Sequence, residues 1–480
     1  MNYKHALFLF PYIEGSSTGA MKIFPPTGLE YVATSVKDLV KKITLLDLRH
    51  EEEFCDMQRL LDFINEEIDI ICVNITWDRQ FDEICDLLNE MPEHLPLIVG
   101  GYKATERAEE ILQRCPRVTI VVRGEGEETI REIFRKKPLE KMAGISYRKK
   151  DRIQHNGFRQ LPDADSIASP DRALRRTKYH LSLNGVKVTD LEFDSVISAR
   201  GCPFNCKFCT FNLNPLGQKR KYSPRRIESV VDEIEGLSAS VILLADDEFF
   251  ADKKRAEEFC DLIIERNIKK RFIAQSRIDV AKHPRLLEKM VKAGFKALLI
   301  GIESPHDRIL KQMNKGFDSK TIREAFKVLK RYPIYYHGYF IYGNIGENEQ
   351  EMLVIPQFAK EIGVDGITFN KLRIEKFSAL RELAENSPGY HITETGAFYS
   401  DRYSHAALKK IGRRMRFSFY TPMRFMKMLK RVMVDTKFFT AKELFSLLCV
   451  IPRLIIVIVA REKQRGRLGD GLKRTFIKNR

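Results

Sequence analysis

The sequence predicts an α/β protein in which a doubly wound parallel sheet is followed by a partial (βα)6 barrel and a helical C-terminal tail. Short apolar runs alternate with amphipathic segments over the first 150 residues, and the alternation resumes from Val196 onward. Runs that are apolar throughout are typical of parallel strands buried on both faces. With 480 residues and 44% hydrophobic content, the chain can form two or three globular domains.

Five apolar runs in the first region are predicted as strands of the open sheet. They are 6–12, 43–49, 68–76, 96–101 and 118–124. Ligands of such sheets lie beyond the carboxyl ends of the strands, where the loops "FPPTG", "GGYKAT" and "RGEGEE" occur. Paired glycines allow the backbone to approach a ligand or a helix closely, and a tight turn is the alternative interpretation.

The second region contains six further candidate strands, separated by helix-like stretches. They are 196–200, 240–247, 272–279, 297–304, 334–343 and 366–372. Six βα units predict a partial barrel with its chemistry at the carboxyl ends of the strands. The predicted domains are an N-terminal domain at 1–145, a linker at 146–190, a barrel at 191–375 and a basic, apolar C-terminal region at 376–480.

Three of the nine cysteines, Cys202, Cys206 and Cys209, lie within the stretch "ARGCPFNCKFCTF". Structural zinc takes four ligands, commonly as two pairs, and no second pair follows here. We expect a reducing cytoplasmic compartment, because the N-terminal stretch resembles no secretory leader, and this disfavours a disulfide. A 4Fe-4S cluster takes one ligand per iron, so three thiolates would leave one iron open. We therefore predict a 4Fe-4S cluster, with zinc or a chance grouping as the alternatives.

The spacing CxxxCxxC, with Phe208 before the last cysteine and a predicted barrel around it, resembles the radical S-adenosylmethionine (SAM) superfamily. The resemblance implies that the amino and carboxylate groups of SAM chelate the open iron. It further implies that one-electron reduction, from a donor such as flavodoxin or ferredoxin, cleaves SAM to methionine and a 5′-deoxyadenosyl radical.

Three other stretches agree with this resemblance. The stretch "GIES", with Gly301 and Glu303, resembles the ribose-contacting motif of the family, and "QSRID" places Arg277 where it would meet the SAM carboxylate. In "LLADDEFF", Asp246 and Asp247 follow the second barrel strand. A structural alternative for these two aspartates is that they cap the next helix.

The N-terminal region resembles the cobalamin-binding domain of cobalamin-dependent radical SAM enzymes. The resemblance rests on "FPPTGLEYVATSV", "IVGGYKAT" and "VVRGEGEETI", in that order. The cobalamin-binding residues that it implies are Pro26, Gly28, Gly100, Gly101 and Gly124. The DxHxxG motif of methionine synthase is absent, because Asp47 and His50 have the wrong spacing; many radical SAM relatives lack it as well. A sheet that has kept the fold and lost the cofactor is the alternative.

The basic character of the chain belongs to its tail. Residues 401–480 hold 21 Lys and Arg against 5 Asp and Glu, a balance of +16. They therefore account for nearly all of the net charge of the whole chain, which is +17. Residues 411–437 interleave cations with Phe and Met, and 444–460 form an apolar run interrupted by Pro452 and Arg453. This pattern favours peripheral contact with the inner face of a membrane over a transmembrane helix. Packing of the apolar run on the barrel and binding of RNA are the alternatives, although nucleic acid is disfavoured because no RNA-binding module is recognisable.

These features predict cobalamin-dependent methylation of an unactivated carbon in a small molecule or a lipid. The order of domains resembles that of hopanoid C-3 methylases, which implies an isoprenoid lipid. One alternative is a radical oxidative cyclase or rearranging enzyme of the same superfamily. The other is an RNA-modifying or non-catalytic iron-sulfur protein.

Overall fold

The computed structural model describes residues 2–13, 23–150, 152–183, 186–209, 213–447 and 449–450. The chain divides into two compact units. The first comprises 1–162, 167–194 and 440–480, and the second comprises 163–166 and 195–439.

The first unit is built on a seven-stranded sheet with the order β2-β1-β3-β4-β5-β6-β7. Its strands are β1 (Tyr3–Phe10), β2 (Val40–Asp47), β3 (Ile70–Asn74), β4 (Leu97–Gly100), β5 (Ile120–Val122), β6 (Ile145–Lys149) and β7 (Arg152–His155). The first five are parallel, as the apolar runs predict, whereas β6 and β7 add an antiparallel hairpin. The hairpin crosses the predicted boundary at 145, so the segment expected to be a linker begins inside the sheet. The boundaries at 190 and 375 stay predictions.

In the described part of the first unit, six α-helices accompany this sheet. They are α1 (Thr27–Ser35), α2 (Met57–Glu67), α3 (Phe81–Asn89), α4 (Tyr102–Glu106), α5 (Ala108–Arg114) and α6 (Glu127–Phe134). The start of α2 is set by Asp56, whose carboxylate accepts a hydrogen bond from the Arg59 backbone N–H. The apolar faces of the helices and the strands of the sheet share one hydrophobic core.

The second sheet has the order β16-β15-β14-β13-β12-β9-β8. Its strands are β8 (His180–Leu183), β9 (Val186–Val196), β12 (Val241–Leu244), β13 (Arg271–Ser276), β14 (Phe295–Glu303), β15 (Tyr335–Tyr342) and β16 (Gly366–Lys371). Strands β12 to β16 pair in parallel and in sequence order, which confirms the predicted half-barrel. Two short ribbons complete the strands, namely β10 (Ala199–Arg200) with β11 (Ser223–Pro224) and β17 (Tyr390–Ile392) with β18 (Phe398–Ser400).

The helices of the second unit cover one face of these strands. They are α7 (Ile227–Glu235), α8 (Lys253–Glu265), α9 (Pro284–Ala293), α10 (Asp307–Gln312), α11 (Ser319–Leu329), α12 (Glu349–Ile362) and α13 (Arg381–Glu385). Along β15 the two faces alternate: Tyr336 and Phe340 are fully buried in the core, whereas Tyr335, His337 and Tyr339 are half-buried. The half-buried residues therefore line the concave side of the half-barrel.

The C-terminal region contributes α14 (His405–Phe419), α15 (Pro422–Lys430) and one π-helical turn at Arg431–Asp435. Helix α14 buries Leu408, Ile411, Met415 and Phe419 in the core of the second unit. Most of the apolar run 444–460 lies outside the described residues. Within the described part of the chain, every helix is too short or too polar to cross a membrane.

Candidate functional site

The backbone just before the cysteine motif is held by Asp246, at the end of β12. The Asp246 Oδ1 atom accepts hydrogen bonds from the backbone N–H groups of Ser198 (2.6 Å) and Ala199 (3.1 Å), and Oδ2 accepts one from the Ser198 hydroxyl. Arg255 donates to the Ser198 carbonyl at 2.8 Å. Asp246 is 2% exposed and burial raises its pKa. These contacts indicate that Asp246 positions the motif. The capping alternative for the two aspartates is wrong, because α8 is capped by Asp252.

The cysteine loop follows at the carboxyl end of the half-barrel. Gly201 opens it with φ +76°, and a Cβ there would lie 2.5 Å from the Arg220 carbonyl oxygen. Inside the loop, the Cys209 N–H donates to the Cys206 carbonyl at 3.1 Å. The Cys202 thiol has its pKa raised to about 12, mainly by burial. Among the described residues, no three His, Cys, Asp or Glu side chains are already arranged around a metal position, so the ligand assignment stays a prediction from the spacing.

The predicted SAM contact Arg277 lies against this loop. Its Nη1 atom is 3.6 Å from Cys206 Sγ, and its guanidinium lies 4.0 Å from the centre of the Phe204 ring. Its Nε atom pairs with Asp279 at 3.1 Å. A guanidinium donor directed at a cysteine sulfur offers a positive partner to an anionic iron-sulfur cluster, so the donor set of this loop fits such a cluster.

Glu303 and Gly301 lie at the end of β14, and their contact with the ribose of SAM stays a prediction. Glu303 is 6% exposed, has φ +69°, and its Oε1 accepts a hydrogen bond from Lys315 Nζ at 2.9 Å. A Cβ at Gly301 would lie 2.6 Å from this same Oε1, so glycine makes room for the carboxylate. Positive φ in a residue other than glycine is strained and recurs at functional sites.

Two further carboxylates lie close to the cysteines. Burial raises the pKa of Asp247 to about 6 and that of Glu248 to about 7, in Glu248 against the opposing effect of Lys253, Arg277 and Lys315. Both carboxylates in turn raise the pKa of Cys202. The pocket therefore mixes buried anions and cations, an arrangement that occurs often at binding and catalytic sites.

Sequence reasoning missed Glu248, Lys315 and the concave face of β15. Glu248 follows the two noted aspartates directly, and a third acidic residue at a strand end was an available signal. Lys315 follows α10 in a stretch without a motif. On the concave face, His337 Nε2 lies 2.8 Å from Thr368 Oγ1, and burial lowers the pKa of His337 to about 4. His337 therefore stays a neutral hydrogen-bonding group at physiological pH.

The first unit contains a cavity of about 420 Å³ at the carboxyl ends of its strands. It is lined by Phe10, Phe24, Pro25, Pro26, Thr27, Gly28, Leu29, Arg49, Asn74, Thr76 and Trp77. Two predicted cobalamin contacts, Pro26 and Gly28, belong to this lining. A Cβ at Gly28 would meet no atom within 4 Å. A mostly apolar cavity of this size is typical of cofactor sites.

The other three predicted glycines, Gly100, Gly101 and Gly124, do not line the cavity. Gly101 has φ +108°, and a Cβ there would lie 2.7 Å from the Ile75 carbonyl oxygen. Gly124 has φ +83°, and its N–H donates to Thr105 Oγ1 at 3.0 Å. These two glycines are required by the turns after β4 and β5, and their contact with cobalamin stays a prediction.

The residues at the position of the missing DxHxxG motif are engaged within the protein. Asp47 pairs with Arg49 (Oδ2 to Nη2, 2.6 Å) and accepts a hydrogen bond from the Tyr179 hydroxyl at 2.9 Å. The His50 ring packs edge-on against Tyr179, with ring centres 4.9 Å apart. The cavity itself is walled by Trp77, so the corrin would meet an apolar surface.

Two family models match the chain. The model of the radical SAM superfamily matches residues 196–359, and that of the B12-binding domain matches residues 20–134. The chain belongs to the cobalamin-dependent radical SAM enzymes. Its cofactors are a 4Fe-4S cluster, SAM and cobalamin. The cysteine loop with Arg277 fits the cluster chemically, and the cavity beside Gly28 would offer a corrin a largely apolar surface at the strand ends.

Several curated proteins resemble this radical SAM enzyme. An uncharacterized methyltransferase of Pyrococcus horikoshii is 28% identical over 72% of this chain and 75% of its own length. The anaerobic magnesium-protoporphyrin IX monomethyl ester cyclase of Cereibacter sphaeroides is 29% identical over 53% of this chain and 43% of its own length. The hopanoid C-3 methylase of Methylococcus capsulatus is 25% identical over 58% and 53%. The chain thus spans about half of the cyclase and of the hopanoid methylase.

Solved structures share the fold at low sequence identity. The radical SAM methyltransferase TsrM of Kitasatospora setae, solved with cobalamin and a 4Fe-4S cluster, has a TM-score of 0.65 at 16% identity and covers 81% of this chain and 77% of its own. The cobalamin-dependent radical enzyme OxsB, solved with aqua-cobalamin and SAM, has a TM-score of 0.65 at 14% identity and covers 98% and 83%. The architecture predicted from the sequence is thereby confirmed.

Proposed function

We propose that this enzyme methylates an unactivated carbon of an isoprenoid lipid. The observation that carries the proposal is that one chain holds both a cysteine loop contacted by Arg277 and a largely apolar cavity beside Gly28, at the carboxyl ends of the sheet strands. When bound, the cofactors would supply reductive SAM cleavage, hydrogen abstraction and methyl delivery. Overall, a C–H bond, two SAM molecules and two electrons from a flavodoxin or ferredoxin yield the methylated product, S-adenosylhomocysteine, 5′-deoxyadenosine and methionine.

The residues of the chain have separate tasks in this proposal. Cys202, Cys206 and Cys209 hold the cluster, and Arg277 stabilises its negative charge. Glu303 contacts the ribose of SAM while Lys315 keeps the carboxylate oriented. Residues that act by holding charge and geometry are what a cofactor enzyme requires of its protein.

The concave face of β15 is proposed to contact the substrate. Its row of Tyr335, His337 and Tyr339 offers broad apolar surface with few polar groups, and His337 is neutral. An apolar substrate with little charge suits such a wall. The similarity to a hopanoid C-3 methylase supports an isoprenoid as the first lipid to test.

A radical oxidative cyclase is the second candidate. The observation that favours it is the similarity to magnesium-protoporphyrin IX monomethyl ester cyclases. Cyclisation leaves the methyl count unchanged, so the two candidates differ in their products.

The test starts with anaerobic purification in the presence of cobalamin and quantification of iron, sulfide and corrin. One cluster and one corrin per chain are expected. The enzyme is then incubated with methyl-labelled SAM, a reductant and an isoprenoid lipid extract. The proposal predicts one S-adenosylhomocysteine per labelled product, together with 5′-deoxyadenosine. Formation of 5′-deoxyadenosine without S-adenosylhomocysteine would instead support the cyclase, and a chain without corrin would contradict methylation.

A further inference from the structure

Helix α15 lies on the surface of the second unit and buries none of its residues. Its apolar side chains are unusually exposed: Met423 by 70%, Met426 by 63% and Phe425 by 49%. Phe417, near the end of α14, is 76% exposed, and Val434, in the π-helical turn, is 60% exposed. Large apolar side chains grouped in this way mark an interaction surface.

The Lys, Arg, Asp and Glu positions around these exposed apolar side chains are all basic. From 402 to 434 the chain has ten Lys and Arg residues and no Asp or Glu. Lys427 and Lys430 are exposed on α15 itself, and Arg413 and Arg416 are exposed on α14. A partner that covers this surface must therefore offer negative charge as well as an apolar phase.

Helical spacing places the two kinds of side chain together. Met423 precedes Met426 by three residues and Lys427 by four, and Lys430 follows Met426 by four residues and Met423 by one full heptad. Residues at such intervals share one face of a helix. The face is an apolar strip with cations beside it, and we call these four residues with Val434 the α15 face.

Other cations of the segment anchor it to the barrel instead. Arg424 donates to the Val364 carbonyl at 2.8 Å, and Arg431 donates to the carbonyls of Tyr332 (2.7 Å) and Ile334 (2.8 Å). The Tyr420 hydroxyl donates to the carbonyl of Ile367, on the edge strand β16, at 2.7 Å. These hydrogen bonds hold α15 beside the edge strand of the half-barrel. Arg424 and Arg431 are thus engaged within the protein, whereas Lys427 and Lys430 are exposed to a partner.

We propose that the α15 face docks this enzyme on an anionic lipid membrane. The proposal deepens the proposed function, and rests on it for the inference that the membrane is the source of the lipid substrate. The methionine side chains of the face enter the boundary between headgroups and acyl chains, while the lysines beside them meet anionic headgroups. RNA is the less suitable partner, because exposed Met and Val cannot stack on bases in the manner of aromatic residues.

The experiment is co-sedimentation of the full chain with two kinds of vesicle. One is phosphatidylcholine alone, and the other contains roughly 30% phosphatidylglycerol, an anionic content that gives a strong surface potential. Binding to the anionic vesicles only, and weakening as salt is raised, is expected because salt screens headgroup charge. Met423→Glu with Met426→Glu, and separately Lys427→Glu with Lys430→Glu, should each lower partitioning by about tenfold or more. The matched control is Ile264→Glu with Val354→Glu, two exposed apolar positions on other helices, which should bind like the wild type.

A second measurement follows the face directly. Met423→Trp, on the α15 face, should gain a blue-shifted emission that brominated lipids quench, and the wild type, with Trp77 as its one tryptophan, gives the baseline. If both double variants bind vesicles like the wild type, the α15 face is not the docking site and the proposal is overturned. Binding to RNA but not to vesicles would overturn it as well. Vesicle binding needs neither cluster nor corrin, so its failure is distinguishable from a failure of methyl transfer.

Discussion

The Arg277 guanidinium lies 3.6 Å from the sulfur of Cys206, although the two residues are 71 positions apart in the chain. The contact joins the end of β13 to the cysteine loop and places a permanent positive charge beside a predicted iron ligand. Phe204, stacked at 4.0 Å, fixes the plane of the guanidinium.

Replacement of Arg277 by Met should lower the reduction potential of the cluster, because the charge and the hydrogen bond that stabilise its reduced state are lost. SAM cleavage should slow by about 10- to 100-fold, the usual cost of removing a partner of a metal ligand. Potentiometry followed by electron paramagnetic resonance measures the first effect. Arg277→Lys should restore part of the potential, and Arg266→Met, which breaks an ion pair with Asp232 between two other helices, should change nothing. An unchanged potential in Arg277→Met would contradict the assigned role.

Replacement of Cys202, Cys206 and Cys209 together by Ala should abolish the broad absorbance band at about 400 nm that is expected of a thiolate-bound iron-sulfur cluster. Corrin binding should persist, because the cavity belongs to the other unit. The control is Cys260→Ala, which removes a buried thiol of the core of the second unit. Iron-sulfur absorbance that survives in the triple variant would refute the ligand assignment.

The buried ion pair of Glu303 and Lys315 should stabilise the second unit, because each charge neutralises the other away from solvent. Lys315→Met leaves Glu303 buried without its cation and should lower the free energy of unfolding of the second unit by about 3–5 kcal/mol. Adding Glu303→Gln to Lys315→Met should recover most of that loss. Urea denaturation measures both, and Lys327→Met, which breaks an exposed pair with Glu324, should cost less than about 1 kcal/mol. Equal losses in the single and double variants would exclude this role of the pair.

Gly28→Phe should fill the cavity of the first unit, since a side chain there enters open space. Corrin affinity should fall by at least about tenfold while stability is kept, because a filled cavity excludes its ligand. Quenching of Trp77, which lines the cavity, reports the binding. Gly157→Phe also enters open space and lies outside the cavity lining, so it should bind corrin normally. Normal corrin binding by Gly28→Phe would place the cofactor elsewhere.

The stability of the second unit should depend on His337 below neutral pH. Burial lowers the pKa of His337 from 6.5 to about 4 in the folded state. Between these two pH values the unfolded chain binds more protons than the folded chain, so stability falls as the pH falls. The full loss is on the order of 3 kcal/mol. In urea unfolding measured from pH 7 to pH 4, His337→Gln should flatten this dependence, whereas His94→Gln, at an exposed position, should keep it.

The parallel strands β1 to β5 and β12 to β16 were predictable because a parallel strand buried on both faces is an apolar run, whatever its neighbours are. The hairpin of β6 and β7 was predicted as part of a linker and not as part of the sheet for the complementary reason: β7 is an edge strand, and most of its residues are exposed. Among the site residues, Glu303 and Arg277 were found because they end strands whose pattern is clear. Lys315 was not found, because it follows a helix and becomes a site residue only where the chain folds back onto Glu303.

The sequence by itself determined the order of the two domains, the cysteine motif and the one-sided charge of the tail, since each depends on residues that are close in the chain. Only the tertiary structure decided that Arg277 contacts Cys206, that Asp246 binds backbone rather than capping a helix, and that Pro26 and Gly28 line a cavity. It also divided the basic residues of the tail into anchors and an exposed face. These outcomes depend on distances between side chains that are remote in sequence, and packing, not local propensity, sets such distances.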